Sequence, residues 1–206
     1  MADVTGAGGR GTTALAGRIT PPEPEPAPAA FRAAVDSIAS AVLPDAVMVR
    51  DSPAPHRIAP FAAAWSVELG EEATGRLVYL HDPAGQPAWS GRDRLVAFTR
   101  VEVDAAMAND PLLADVVWEW FAEGLAAYGA QCTALGGTVT TTTSRRYGSL
   151  VHVSATHEAE LRCSWTPVLA EGAAGPDLGA HLSGLVAAVA AMCGLPPSAG
   201  VRRLPG

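Results

Sequence analysis

Three strand-patterned segments, Phe61 to Leu69, Gly75 to His81 and Arg94 to Val103, follow one another with no helical pattern between them. Parallel neighbours need a long crossover, whereas Gly70-Glu71-Glu72 leaves room only for a turn, so this stretch is restricted to an antiparallel meander. Asp82-Pro83-Ala84-Gly85 reads as the turn region before the third strand. Leu95-Val96-Ala97-Phe98 is apolar on both faces, as in a central strand covered on both sides, or covered by helix on one side and by a loop or partner on the other. Val47 to Asp51 is a further short strand. Ser52 to Pro60 holds three prolines that cannot donate to a ladder, which makes it a loop or an edge.

Helical patterns flank this run. Phe31, Ala34, Val35, Ile38 and Val42 recur at helical spacing and predict a helix over residues 29 to 43, stopped by Pro44. Asp110-Pro111 opens a second, long helix to Tyr128, because the Asp side chain accepts free N–H groups and Pro loses nothing at the first position; Gly129 closes it. Strands at about Thr133 to Thr143 and Glu158 to Thr166 come next, the latter with Ala159, Leu161, Cys163 and Trp165 on one face and Glu158, Glu160, Arg162 and Ser164 on the other. In Gly136-Gly137, a β-bulge or close helix packing is the expectation. A last helix runs from Asp177 with Leu178, Leu182, Leu185, Val189 and Met192 on one stripe and ends at Gly194. Strands in contiguous runs between helices give an α+β fold, a largely antiparallel sheet packed against helices in the order α, three or four β, α, two β, α. That order is similar to the secretion-chaperone-like fold. Residues 1–28, rich in Gly and Pro, are expected to be a disordered tail, 29–195 a single domain and 196–206 a flexible C-terminal tail.

The chain has Lys+Arg 14 against Asp+Glu 21, for a net charge of -7 over 206 residues, so nucleic acid is not the expected partner. Arg145-Arg146-Tyr147 and Arg202-Arg203 are too sparse to make a basic footprint. Every basic residue is Arg, which removes Schiff-base lysines, the P-loop lysine and Ser-x-x-Lys nucleophiles. Cys132, Cys163 and Cys193 lie far apart with no C-x-x-C, and read as reduced thiols in a cytoplasmic protein. No apolar run is long enough for a membrane helix. Gly6, Gly8 and Gly11 match G-x-G-x-x-G but follow no strand and open no helix, so no dinucleotide is expected. His56, His81, His152, His157 and His181 show no ligand spacing; neither a metal nor another cofactor is expected.

One set of residues could carry chemistry. Arg94, Arg100 and Glu102 share a strand face, as do Glu160 and Arg162; if the strands are neighbours, Arg100 and Arg162 could grip a carboxylate or phosphate while Glu102 or Glu160 acts as a base, with Trp89 at the mouth. The competing reading is a solvated sheet face of alternating charge, with no catalytic residue anywhere. Trp118, Trp120 and Trp165 are expected in the core.

Several segments carry a resemblance: Ala73-Thr74-Gly75-Arg76-Leu77-Val78 with His81-Asp82-Pro83, Arg94 to Phe98 with Arg100 and Glu102, Asp110-Pro111-Leu112-Leu113 with Trp118 and Trp120, Ala134 to Thr140, and Glu160-Leu161-Arg162 with Ser164 to Pro167. Over roughly residues 30 to 195 the chain resembles an actinobacterial family of domains of unknown function, the one numbered three thousand. Codon-driven Arg, Ala and Gly usage agrees with a high-GC source. The resemblance implies no activity, cofactor or catalytic residue. The functional expectation is therefore a non-enzymatic module that works through a protein partner or self-association as a homodimer, with a small acidic metabolite bound at the Arg/Glu set as the rival.

Overall fold

The computed structural model describes residues 26–195 and the backbone of 201–203. The expected tail through residue 25, with Gly6, Gly8 and Gly11, and residues 196–200 and 204–206 lie outside the described residues.

The meander is present and longer than its pattern. Strands β2 (Val47–Asp51), β3 (Phe61–Leu69), β4 (Ala73–Gln86) and β5 (Gly91–Glu102) follow in sequence. With β6 (Cys132–Ser144) and β7 (Thr156–Pro167) they form one six-stranded sheet, every neighbour antiparallel, in the order β2-β3-β4-β5-β7-β6. The turn expected at Asp82–Gly85 is instead part of β4. The ladder shifts register between His81 and Gln86, where Asp82 accepts from the Ala84 N–H and the Gln86 amide, and the chain turns later, at Pro87–Trp89.

Helices α1 (Ala29–Ser37), α2 (Ala105–Ala108), α3 (Leu113–Ala127) and α4 (Leu178–Met192) complete an α+β architecture. The first helix is shorter than the 29–43 pattern: Ile38–Ser40 tightens to a 3-10 turn, and Val42–Pro44 is strand β1, paired with Val201–Arg203 as β8. Tertiary bonds override local periodicity there, since Ser183 Oγ accepts the Val42 N–H and Ser37 Oγ accepts the Leu178 N–H. Residues 201–203, assigned to the loose tail by composition, thus belong to a two-stranded sheet. The helix expected from Pro111 begins at Leu113 instead, after a turn in which Asp110 Oδ1 accepts from Leu112 N, whereas Asp177 caps α4 through Ala180 N.

Helix α4 is buried almost all round rather than along one stripe, because α1, α3, β1 and the sheet surround it. It meets α3 through two glycines: a Cβ on Gly124 would sit 2.4 Å from the Gly184 carbonyl oxygen, and one on Gly184 would sit 2.8 Å from Leu125 Cα. Gly184→Ala is therefore expected to cost about 1–3 kcal/mol, because the helix backbones must part, despite a helix-propensity gain of up to ~1 kcal/mol. Denaturant unfolding measures it; a stabilised variant would show that the helices have room. The core face of the sheet presents Trp65, Leu77, Tyr79, Leu95, Leu161 and Trp165 to this layer. Trp118 and Trp120 pack partly buried against the same core. Gly137 combines both expectations for the glycine pair: it follows the register shift between Thr133 and Gly136, and a Cβ there would lie 2.9 Å from the Trp118 ring.

Candidate functional site

The helices cover one face of the sheet, and period-2 alternation sends the other set of side chains to the opposite face. Register makes these into cross-strand rows: Thr74, Arg100, Glu160 and Thr140 in one, Arg76, Phe98, Arg162 and Thr138 in the next, then Val78, Val96, Ser164 and Gly136. Three of the expected site residues do meet. Arg100 Nη2 lies 3.3 Å from Glu160 Oε2, and Arg162 Nε lies 2.6 Å from Glu160 Oε1, with Glu158 3.7 Å from Arg100. Beneath them the guanidinium carbons of Arg162 and Arg100 stand 5.1 and 5.9 Å from the centre of the Phe98 ring.

Chemically this is a satisfied ladder. The Arg162 hydrogen bond, against some opposing burial and with help from Arg100, holds Glu160 below the usual carboxylate range, which weakens it as a base. Glu102 faces Glu158 one row further on and makes no ion pair among the described residues. Trp89 is not at the mouth of this set. It occupies the 3-10 turn before β5, where its carbonyl accepts from Thr166 Oγ1, roughly 20 Å along the strands from Arg100.

Beside the ladder lies a shallow trough of about 570 Å³, floored by Val96, Phe98 and Ser164 and walled by Thr138 and Arg162, with Gly136-Gly137 leaving it unfilled on the β6 side. Val96 is 37% exposed there, in the middle of the sheet. Arg94 lies one row beyond the residues that line the trough. Its guanidinium bonds Ser164 Oγ, Thr166 Oγ1 and the Ala134 carbonyl, with no carboxylate partner among the described residues, and partial burial lowers its pKa from the ordinary value. Arg76, on the other flank, donates to the Pro53 carbonyl while its Nε is buried without a partner. The proline-bearing Ser52–Pro60 segment lies against that flank, where Ala64 and Leu80 are buried although they point away from the helices.

A second constellation was not singled out from the sequence. Tyr79 donates to Asp93 Oδ1 at 2.5 Å, and His81 Nδ1 lies 2.7 Å from the same oxygen, which fixes the proton on Nδ1. Phe31 of α1 stacks on Tyr79 at 5.4 Å and, with Phe61, flanks the His81 ring. Burial first, then the hydrogen bond and charge of Asp93, push the Tyr79 phenol far above its ordinary pKa. The network joins α1 to the β4–β5 hairpin. Its sequence signal was the pair His81 and Asp93, hidden by misplacing the turn between them.

His157 bonds Thr143, and no group of three or more potential metal ligands occurs among the described residues. Nor is any described helix long and apolar enough to cross a membrane. A family model described as "Protein of unknown function (DUF3000)" matches residues 27–202. No curated protein and no solved structure matches the chain.

Proposed function

The chain belongs to the DUF3000 family, and on that premise we propose that it is a non-enzymatic interaction module whose uncovered sheet face binds another protein through the Val96–Phe98 trough. The observation that carries this reading is Val96, left exposed at the centre of a six-stranded sheet. Antiparallel sheets leave one face to water by making it polar, and an apolar floor there marks a contact surface. The occupant is a polypeptide segment presenting an apolar side chain next to a carboxylate: the floor takes the first, and Arg94, held among neutral oxygens, takes the second. A small acidic metabolite gripped by Arg100 and Arg162 is less well supported, because both groups already bond Glu160 on an open surface rather than in a concave pocket. Three free thiols agree with work in a reducing compartment such as the cytoplasm.

A photo-crosslinking residue at Val96, with one at exposed Leu112, just before α3, as control, tests the proposal. One discrete polypeptide crosslinked from Val96 and not from Leu112, with the yield reduced about tenfold by Arg94→Glu, is the expected result. Equal crosslinking from both positions, or a yield indifferent to Arg94→Glu, overturns it.

A further inference from the structure

Strand β6 is an edge of the sheet, and beyond its first residues it lacks the ordinary protections of an edge. From Cys132 to Ser144 it has neither a charged residue nor a proline. Its one irregularity, the shift between Thr133 and Gly136 with Ala134 at φ 49°, lies at its start. From Gly136 to Ser144 the pairing with β7 is unbroken, and the backbone there makes no other hydrogen bond among the described residues. Alternate residues therefore turn N–H and C=O groups outward along roughly 30 Å of β-favouring threonines. The opposite edge shows what protection looks like: β2 has five residues, includes Arg50 and Asp51, and runs into Pro53 and Pro55.

We infer that β6 pairs antiparallel with β6 of a second copy, about a two-fold axis near Thr140, joining two six-stranded sheets edge to edge. An uncharged strand meets itself without like-charge repulsion, and a two-fold antiparallel pairing is self-consistent, since each residue pair occurs twice. The second argument is a fit between features that a single copy leaves apart. Centred on Thr140, Gly136 of one copy faces Ser144 of the other, so each β6–β7 hairpin tip runs alongside the start of the partner's β6. The tip exposes Tyr147, Leu150 and Val151, the last 73% exposed. At the start of β6 lies an apolar cleft of about 400 Å³ lined by Leu125, Ala126, Ala130, Cys132 and Leu135, which is where that tip arrives. The pairing closes both β6 edges, leaves only the protected β2 edges outward, and so stops at two copies. It does not depend on what the open face binds.

Sedimentation equilibrium of the full chain, with hydrogen exchange of residues 136–144, tests the inference. A dimer is expected, with alternate amides of this segment protected beyond the β7-paired set. Thr140→Lys places two lysines on the axis while facing Glu160 within its own copy, so the variant stays folded and its dimer dissociation constant rises at least tenfold. Thr140→Glu sets a carboxylate against Glu160 within its own copy, so it loses some stability in thermal unfolding; it too dimerises more weakly, and mixing the two variants restores the dimer. A wild-type monomer, a dimer indifferent to Thr140→Lys with thermal unfolding unchanged, or a dimer whose outward amides exchange freely overturns it.

Discussion

Replacing Trp165 by Ala is expected to lower the unfolding free energy by about 3–5 kcal/mol, the largest loss of any single core truncation in this chain. Trp165 is fully buried on β7, meets Phe121 of α3 edge-on at 5.2 Å, and donates its indole N–H to His181 Nδ1 of α4 at 3.1 Å. One side chain thus spans the sheet and both long helices, so the cavity it leaves has no single element able to collapse into it. Trp165→Phe keeps most of the volume but strips His181 of its donor, and is expected to cost about 1–3 kcal/mol. Equilibrium urea unfolding separates the two; a loss under 1 kcal/mol for the alanine variant would show that α3 and α4 close over the gap.

The same pair sets a pH dependence. Because Nδ1 of His181 accepts the indole hydrogen bond, the imidazole is neutral in the folded protein, and burial pushes its pKa down to about 4, slightly countered by Asp177. In the unfolded chain the ring takes a proton near 6.5. Between those values the unfolded state holds more protons. The stabilisation is thus fully present above pH 6.5, falls as pH drops through the window, and is gone below about pH 4. At ~1.4 kcal/mol per pH unit the full change is about 3 kcal/mol. His181→Gln, which keeps an acceptor for the indole, is expected to flatten this slope in unfolding experiments at pH 7, 5.5 and 4; carboxylates such as Glu160 contribute equally to both proteins and cancel in the difference. A variant with the wild-type slope would show that His181 is not the group responsible.

Period-2 alternation made the strand faces legible: Ala159, Leu161, Cys163 and Trp165 are all buried, and Arg100, Glu160 and Arg162 do share the other face. What alternation does not carry is register. Had the β4–β5 turn fallen at Asp82–Gly85, His81 would lie against Gln86; the late turn at Pro87–Trp89 sets it opposite Asp93 and creates the Tyr79 network. The end of α1 was hidden for a related reason. Ile38 and Val42 continue the helical spacing, yet Ser183, far along the chain, captures the Val42 N–H and pulls the segment into β1. Nothing local to the loop fixes Trp89, whose place is decided by Thr166 on another strand.

Of the joints within the sheet, β5 to β7 alone is not between strands consecutive in the chain, since α2, α3 and β6 intervene. No turn dictates how those two strands slide past each other. The ladder on the open face supplies that information. The native register carries one like-charge pair, Glu102 against Glu158; a two-residue slip one way would set Arg100 against Arg162 and Glu102 against Glu160, like charges in both rows, whereas the opposite slip keeps an ion pair, Arg100 with Glu158, but places Glu160 against Phe98 and strips the ring of its facing cation. The charges thus penalise one of the two nearest wrong alignments strongly and the Phe98–arginine contact guards against the other, so these exposed groups act on which sheet forms rather than on how tightly it holds.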